Sequence, residues 1–175
     1  MRGIRNAFPI HILVLSAFLS LPLLAGARAV PPEILDAAQA GKLLPSAVFF
    51  GGQSAPTQLR NSAGVRFIDA RLALAVLVDS SGYSSGIQQK YQGYLLTEVA
   101  LDFAGHRLPP GAYGIGMVQG KLYVMDIGNH GLFQTAAMHD ATMHRPVPLQ
   151  ILAGSSPGTY RLCFGRDCVD FQRAQ

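Results

Sequence analysis

Short apolar segments separated by glycine and proline turns run through the chain from Val65 onwards, and they restrict the fold more than any other feature. The clearest are Leu72 to Val78, Ala112 to Val118, Leu122 to Ile127 and Thr159 to Phe164. Strands repeated every 8–12 residues or so are typical of antiparallel sandwiches and barrels. The sequence therefore predicts a mainly antiparallel all-β fold, with a single β-sandwich or β-barrel-like domain.

Further strands are expected at Val65 to Asp69, Leu95 to Phe103, Pro146 to Ala153 and Val169 to Gln172. Gln119-Gly120 is expected to form the hairpin turn between Ala112 to Val118 and Leu122 to Ile127, with glycine supplying the positive φ. Gly51 to Gly64 contains proline, asparagine and glycine, and is expected to be a loop.

Two helical segments interrupt this pattern. Pro31-Pro32 precedes Glu33 to Ala40 and Gly41 follows it, which is the punctuation of a short helix. We expect this N-terminal helix within residues 30–45, ahead of a β-rich domain of residues 46–175. A second helical turn is expected within Ser85 to Tyr94, where apolar residues recur at intervals of four and three.

Residues 1–29 have the layout of a secretory signal peptide. Arg2 and Arg5 precede an apolar segment from Ile10 to Leu24, and Ala27-Arg28-Ala29 has the small-x-small pattern of a cleavage site. We therefore expect an exported protein, periplasmic or extracellular. The alternative, a retained membrane anchor, needs about twenty apolar residues, which is more than this segment provides.

The charge of the exported chain, and the apolar content of the sequence after the leader, limit which partners it can bind. The whole chain carries a formal charge of +4, but three of its arginines belong to the leader and the remaining basic residues are scattered singly. The sequence therefore gives no support for nucleic-acid binding. No membrane span is expected after signal cleavage, and an envelope protein or a glycan is a possible partner.

The two cysteines, Cys163 and Cys168, flank a glycine-containing turn. An even pair in an exported chain predicts a disulfide across a hairpin. The alternatives are a redox pair or two metal ligands, although the spacing of four intervening residues fits neither pattern well.

Histidine and methionine residues form the best candidate metal site. Imidazole and thioether ligands suit copper in an oxidising compartment, and Asp126 lies close to the first of the candidates in sequence. A periplasmic copper-binding protein is thus one functional alternative, with the candidate ligands His130, Met138, His139, Met143 and His144. The other interpretation of this segment is an exposed loop whose methionines cap the core.

An aromatic and polar patch is the candidate ligand surface, because tyrosine combines an apolar ring with a hydroxyl that can bind a sugar or a peptide. Its candidate residues are Asp79, Ser80, Tyr83, Gln88, Tyr91 and Tyr94. The alternative is that Ile87, Tyr91 and Tyr94 pack a helical turn onto the sheet.

Catalytic patterns are weak. Ser54 lies in GGQSA, which lacks the closing glycine of a nucleophile elbow. Asp79, Ser80 and Ser81 make a triad with a histidine by composition only, and Glu98 and Asp102 are a possible carboxylate pair. A small secreted hydrolase is therefore a second alternative, and no catalytic residue is assigned.

One segment has a recognisable pattern, Gly105 to Tyr113, which reads G-x-x-L-P-x-G-x-Y and predicts a hairpin with Pro110-Gly111 at the centre of a type II turn. Together with Asn61 to Phe67, Val78 to Ser85 and Arg145 to Gln150, it resembles an uncharacterised family of exported bacterial β-sandwich proteins. The resemblance covers residues 45–171. It implies a fold and a location but no activity, so no functional residue is transferred.

Taken together, these patterns predict an exported, non-catalytic binding or structural protein of the bacterial envelope, without a required cofactor. A carrier of small hydrophobic ligands is a further option, since the apolar run Leu72 to Val78 could line the lumen of a closed barrel. The same run is equally compatible with a strand buried between two layers.

Overall fold

A computed structural model describes residues 31–175, and the signal peptide expected at residues 1–29 lies outside the described residues. The described part of the chain is almost entirely β-structure, with two single-turn helices. The elements in chain order are β1 (Glu33–Leu35), α1 (Ala37–Ala40), β2 (Ala47–Phe50), β3 (Gln53–Arg66), β4 (Leu72–Val78), α2 (Ser85–Gln88), β5 (Gly93–Thr97), β6 (Leu101–Phe103), β7 (His106–Leu108), β8 (Gly111–Val118), β9 (Lys121–Asp126), β10 (Gly131–Ala136), β11 (Met138–His139), β12 (Gln150–Ala153), β13 (Thr159–Phe164) and β14 (Asp167–Arg173).

The strands form two antiparallel sheets that pack face to face. The larger sheet has the order β1-β3-β4-β5-β8-β9-β10, with β2 also paired to β3. The smaller has the order β12-β13-β14-β6-β7, with β11 also paired to β14. Apolar residues from both sheets, such as Val65, Ile115, Phe103 and Leu162, fill the space between them. The predicted all-β sandwich-like domain is confirmed.

A second apolar layer covers the outer face of the larger sheet. It is formed by α1, β2 and the segment around α2, which pack onto Leu74, Val76 and Met125. Leu74 and Val76 belong to β4, and the alternate residues of that strand, Ala73 and Ala75, face the smaller sheet. Because β4 is buried on both faces, it has the continuous apolar sequence Leu72 to Val78. This run therefore lies between two layers and does not line a ligand-filled lumen.

The N-terminal segment is less helical than expected. Residues Glu33–Leu35 form β1, because they pair with β3 and the Glu33 carboxylate binds Arg66 at 2.6 Å. The helix is confined to α1, where the side chain of Asp36 accepts from the backbone of Gln39 and the Gln39 side chain accepts in return from the backbone N–H of Asp36. This capping box fixes the helix start four residues later than the sequence indicates.

The expected loop at Gly51 to Gly64 is wrong, since most of it belongs to β3. Gly51 and Gly52 both have positive φ and connect β2 to β3 as a tight turn. A bulge between Gln58 and Ser62 then allows the polar strand to continue beside β4. By contrast, Gln119 and Gly120 form the expected positive-φ turn between β8 and β9.

Two segments that the sequence predicts as single elements are shorter or split in the structure. The expected strand Leu95 to Phe103 forms β5 in the larger sheet and β6 in the smaller, with the crossover between them. The helix expected within Ser85 to Tyr94 is limited to α2, because the chain from Gly93 onwards pairs with β4 and β8.

The hairpin predicted at Gly105 to Tyr113 is wrong, because β7 belongs to the smaller sheet and β8 to the larger. Gly111 already pairs with Thr97 and is not among the glycines with positive φ. The Tyr113 hydroxyl donates to the Pro109 carbonyl at 2.8 Å, and a Cβ on Gly111 would lie 2.9 Å from that hydroxyl. The motif is therefore a tyrosine corner at a crossover between sheets.

Cys163 and Cys168 are direct cross-strand partners in the β13–β14 hairpin and form a disulfide, as predicted. Both residues are buried, and their Cα atoms are 4.0 Å apart. Across residues 31–175, no helix has the length and apolar character needed to cross a membrane.

Candidate ligand groove

A groove of about 580 Å³ lies on the outer face of the larger sheet. The segment from Ser84 to Lys90, which contains α2, forms one wall. Strand β9 supplies Tyr123 and Met125 at its base, and β10 supplies Leu132 and Gln134. The remaining lining residues are Val124, Asn129, Gly131 and Phe133.

Small residues on β8 determine how closely this wall approaches the sheet. A Cβ on Gly116 would collide with the backbone carbonyl of Lys90, and one on Gly114 would collide with the ring of Phe50. Gln92 then fixes the end of the wall, since its side-chain amide donates to the Met117 carbonyl and accepts from the Met117 N–H. Glycine in a strand often indicates such a close approach.

Lys90 gives the groove its charge. Its ammonium lies 5.9 Å from the ring centroid of Tyr123, within the range of a cation–π contact. No aspartate or glutamate lines the groove, and within the described chain Lys90 forms no ion pair. The exposed Leu132 provides an apolar surface beside this cation, with 48% of the residue accessible. The groove can therefore take a group that is anionic at one end and apolar at the other.

The tyrosines of the expected ligand surface are in the second apolar layer. Tyr91 is fully buried and stacks on Phe50 with ring centroids 3.9 Å apart. The Tyr83 hydroxyl donates to the Phe50 carbonyl at 2.9 Å, and that of Tyr94 to the Phe49 carbonyl at 3.3 Å. These three rings pack the layer onto the sheet and are not available as a binding surface, which corrects that part of the prediction.

Burial also changes the acidity of these phenols. Removal from water raises the pKa of Tyr91, whose hydroxyl has no hydrogen-bond partner, because the phenolate is poorly solvated there. Burial raises the pKa of Tyr83 and Tyr94 in the same way. All three remain neutral at physiological pH.

The polar members of the same candidate surface stabilise a turn. Asp79 accepts from the Ser81 N–H at 3.0 Å, and this hydrogen bond lowers the pKa of Asp79. The Gln88 amide donates to the Tyr83 carbonyl at 2.6 Å. Ser80 lies in the turn between them, half-buried. These residues hold the segment that leads into the groove wall.

The candidate copper ligands lie on three separate segments. His130 is in the β9–β10 turn with Nδ1 3.0 Å from Asp126, whereas Met138 and His139 form β11, where His139 Nδ1 lies 2.7 Å from Asp167. The loop after β11 carries the other two. There the Met143 sulfur accepts from Gln150, and His144 is exposed.

No group of three His, Cys, Asp or Glu side chains placed to hold a metal ion occurs in residues 31–175. The copper site stays a prediction, to be tested by copper titration of the wild type against His139→Ala/His144→Ala.

The candidate catalytic residues have structural partners. The Glu98 carboxylate accepts from the Leu72 N–H, and the Asp102 carboxylate accepts from the Gly105 N–H, so the two serve separate turns. Ser54 is exposed on β3. Between residues 31 and 175 no serine hydroxyl is hydrogen-bonded to a histidine.

Sequence reasoning missed the groove. Lys90 is one of several isolated basic residues, and Tyr123 lies within an ordinary apolar strand. The available signal was the pair Gly114 and Gly116 at alternate positions of β8, which indicates a close approach by another segment. Nothing local identifies Lys90 as that segment.

Comparison with known proteins gives no relative: no family model, no curated protein and no solved structure matches this chain.

Proposed function

We propose that this is an exported, non-catalytic binding protein of the bacterial envelope, and that its ligand site is the groove between the α2 segment and β9–β10. Export is supported by the leader pattern of residues 1–29 and by the disulfide, which is typical of oxidising compartments. The resemblance to exported β-sandwich proteins agrees with this location.

The groove is chosen as the ligand site because of the unpaired cation that it contains. Lys90 lies over the ring of Tyr123 with no carboxylate lining the cavity, and the exposed side chain of Leu132 lies beside it. Lys90 is exposed and has no counter-ion in the groove, so its ammonium can form a charge-assisted hydrogen bond with an anionic group, while the exposed Leu132 favours an apolar one. The ligand class is therefore an anionic amphiphile, such as an acidic peptide side chain beside an apolar one or an organic acid.

The experiment uses two fluorescent probes that differ mainly in charge. Anilinonaphthalene sulfonate carries an anionic group on an aromatic body, and N-phenylnaphthylamine has a closely related body without the charge. We expect the protein purified from the periplasm to bind the sulfonate more tightly than the neutral probe. Because Lys90 is exposed, Lys90→Ala should weaken sulfonate binding by about three- to fivefold, the effect of one solvent-exposed ion pair of up to about 1 kcal/mol.

Lys42→Ala is the matched control, since Lys42 is exposed after α1 and does not line the groove. It should leave both affinities unchanged. Equal binding of the two probes, or sulfonate binding that Lys90→Ala does not alter, would contradict the proposed site.

A further inference from the structure

Among residues 31–175, strand β10 pairs with β9 alone and forms an open edge of the larger sheet. Phe133 and Thr135 lie opposite Val124 and Leu122 of β9. Ala137, two residues beyond Thr135, donates its N–H to the Gly120 carbonyl, so every second residue from Phe133 to Ala137 directs its backbone groups towards β9. Backbone groups of an antiparallel strand alternate in direction. The N–H and C=O groups of Gln134 and Ala136 therefore point away from β9, towards solvent.

The other edges of the two sheets in residues 31–175 are covered, charged, or short and preceded by proline. Strand β1 follows Pro31-Pro32 and carries the Glu33–Arg66 ion pair. The outer edge of β2 is used internally, since Tyr94 donates to the Phe49 carbonyl and Gly51 donates to Ile127. In the smaller sheet, β7 is only three residues long and contains Arg107, and the other edge, β12, is only four residues long, follows Pro146 and Pro148, and packs against β1 and β3. Short, charged or proline-flanked edges are the usual protection against strand pairing.

Strand β10 lacks these protections over its regular part. Its sequence, GLFQTA, contains no charged residue and no proline, and its one irregularity, a bulge between Gly131 and Phe133, lies at its beginning. Gln134 and Ala136 are exposed, and Leu132 exposes 48% of its surface beside them. An uncharged open edge accepts a second strand without like-charge repulsion.

We propose that β10 pairs antiparallel with β10 of a second copy of this chain, which joins the two larger sheets across a two-fold axis. The outward residues are self-complementary: Gln134 of one copy lies opposite Ala136 of the other, and each such pair exchanges two hydrogen bonds. The absence of charge on β10 selects this occupant over an acidic or basic peptide. The axis is normal to the sheet, so both ligand grooves lie on the same face of the dimer.

The test is sedimentation equilibrium of the periplasmic protein over a range of concentrations, with Gln134→Pro as the variant. Proline removes the outward N–H and leaves the hydrogen bonds to β9 in place. Since it deletes one hydrogen bond from each copy, the dimer dissociation constant should rise by roughly 30-fold. Gln134→Ala keeps the N–H and should dimerise like the wild type, and Lys90→Ala should do so as well, because the groove is a separate feature.

A second variant covers the case in which Gln134→Pro does not fold. Gln134→Glu/Ala136→Glu places like charges directly opposite each other across the axis on an exposed face, and should give a folded monomer at low salt. A wild type that stays monomeric up to about 0.5 mM, the range that detects weak association, would overturn the proposal. Dimers that both edge variants leave intact would overturn it equally.

Discussion

Gly116→Ala tests how the groove wall is held against the sheet. In the native structure the backbone carbonyl of Lys90 lies where the new methyl group would go, closer than 3.0 Å, a separation that real Cβ contacts do not show. Neither partner can rotate away, because one is a β8 backbone position and the other is a backbone oxygen. The segment from α2 to Gln92 must therefore move outwards.

The cost follows from the hydrogen bonds that hold this segment. Gln92 donates its N–H to the Ile115 carbonyl at 3.0 Å. Its side chain accepts from the Met117 N–H at 3.0 Å and donates to the Met117 carbonyl at 3.1 Å. Each bond contributes about 1 kcal/mol net, and overpacking adds about 1 kcal/mol or more. We expect the free energy of unfolding to fall by about 2–4 kcal/mol, a large share of the stability of a typical domain.

Urea denaturation followed by far-UV circular dichroism measures this loss. Gly86→Ala is the matched control, because Gly86 lies in the same wall and a Cβ there meets no atom within 4 Å. That change should be neutral or stabilise by up to about 1 kcal/mol, as Gly→Ala does in helices. A Gly116→Ala protein with wild-type stability and wild-type sulfonate-probe affinity would refute the close-approach argument.

Three further predictions concern the scaffold. Tyr113→Phe deletes the hydrogen bond to Pro109 and should lower the unfolding free energy by about 1 kcal/mol in the same urea assay, whereas no loss would contradict the tyrosine corner. Cys163→Ala/Cys168→Ala should cost about 2 kcal/mol on the loop-entropy model, and a reductant should reproduce the effect in the wild type but not in the variant. Hydrogen bonds from the Thr142 hydroxyl and from Arg161 lower the pKa of Asp140, so its contribution to stability is present above its unfolded pKa and is lost as pH falls below about 4. Asp140→Asn should therefore flatten the acid limb of a stability–pH profile, and an unchanged limb would contradict this.

Segments with a strong local signal were predictable from the sequence. Leu72 to Val78 and Thr159 to Phe164 coincide with β4 and β13, and the Gln119-Gly120 turn and the disulfide are as expected. Strand β3 was missed because its first half is polar and contains Pro56, and only pairing with β2 and β4 makes it a strand. Tertiary pairing outweighs local propensity there.

The tyrosine corner and the groove show the other limit of sequence reasoning. Gly111 and Tyr113 gave a visible pattern, but whether the chain returns along one sheet or crosses to the other depends on Leu108 pairing with Leu101. The aromatic residues Tyr83, Tyr91 and Tyr94 satisfy the pattern of a ligand surface and of a core layer equally well. Only the position of β2 above them, with Phe50 stacked on Tyr91, makes them core.

The most direct test of the central claim is an amide NMR titration of the periplasmic protein with anilinonaphthalene sulfonate. Chemical-shift changes are expected to cluster at Ser84 to Lys90 on one wall and at Gly131 to Gln134 on β10, and Lys90→Ala is expected to remove them. Shift changes concentrated elsewhere, such as the apolar cleft between β1 and β12 that includes Ile34 and Val147, would contradict the assignment of the groove as the ligand site.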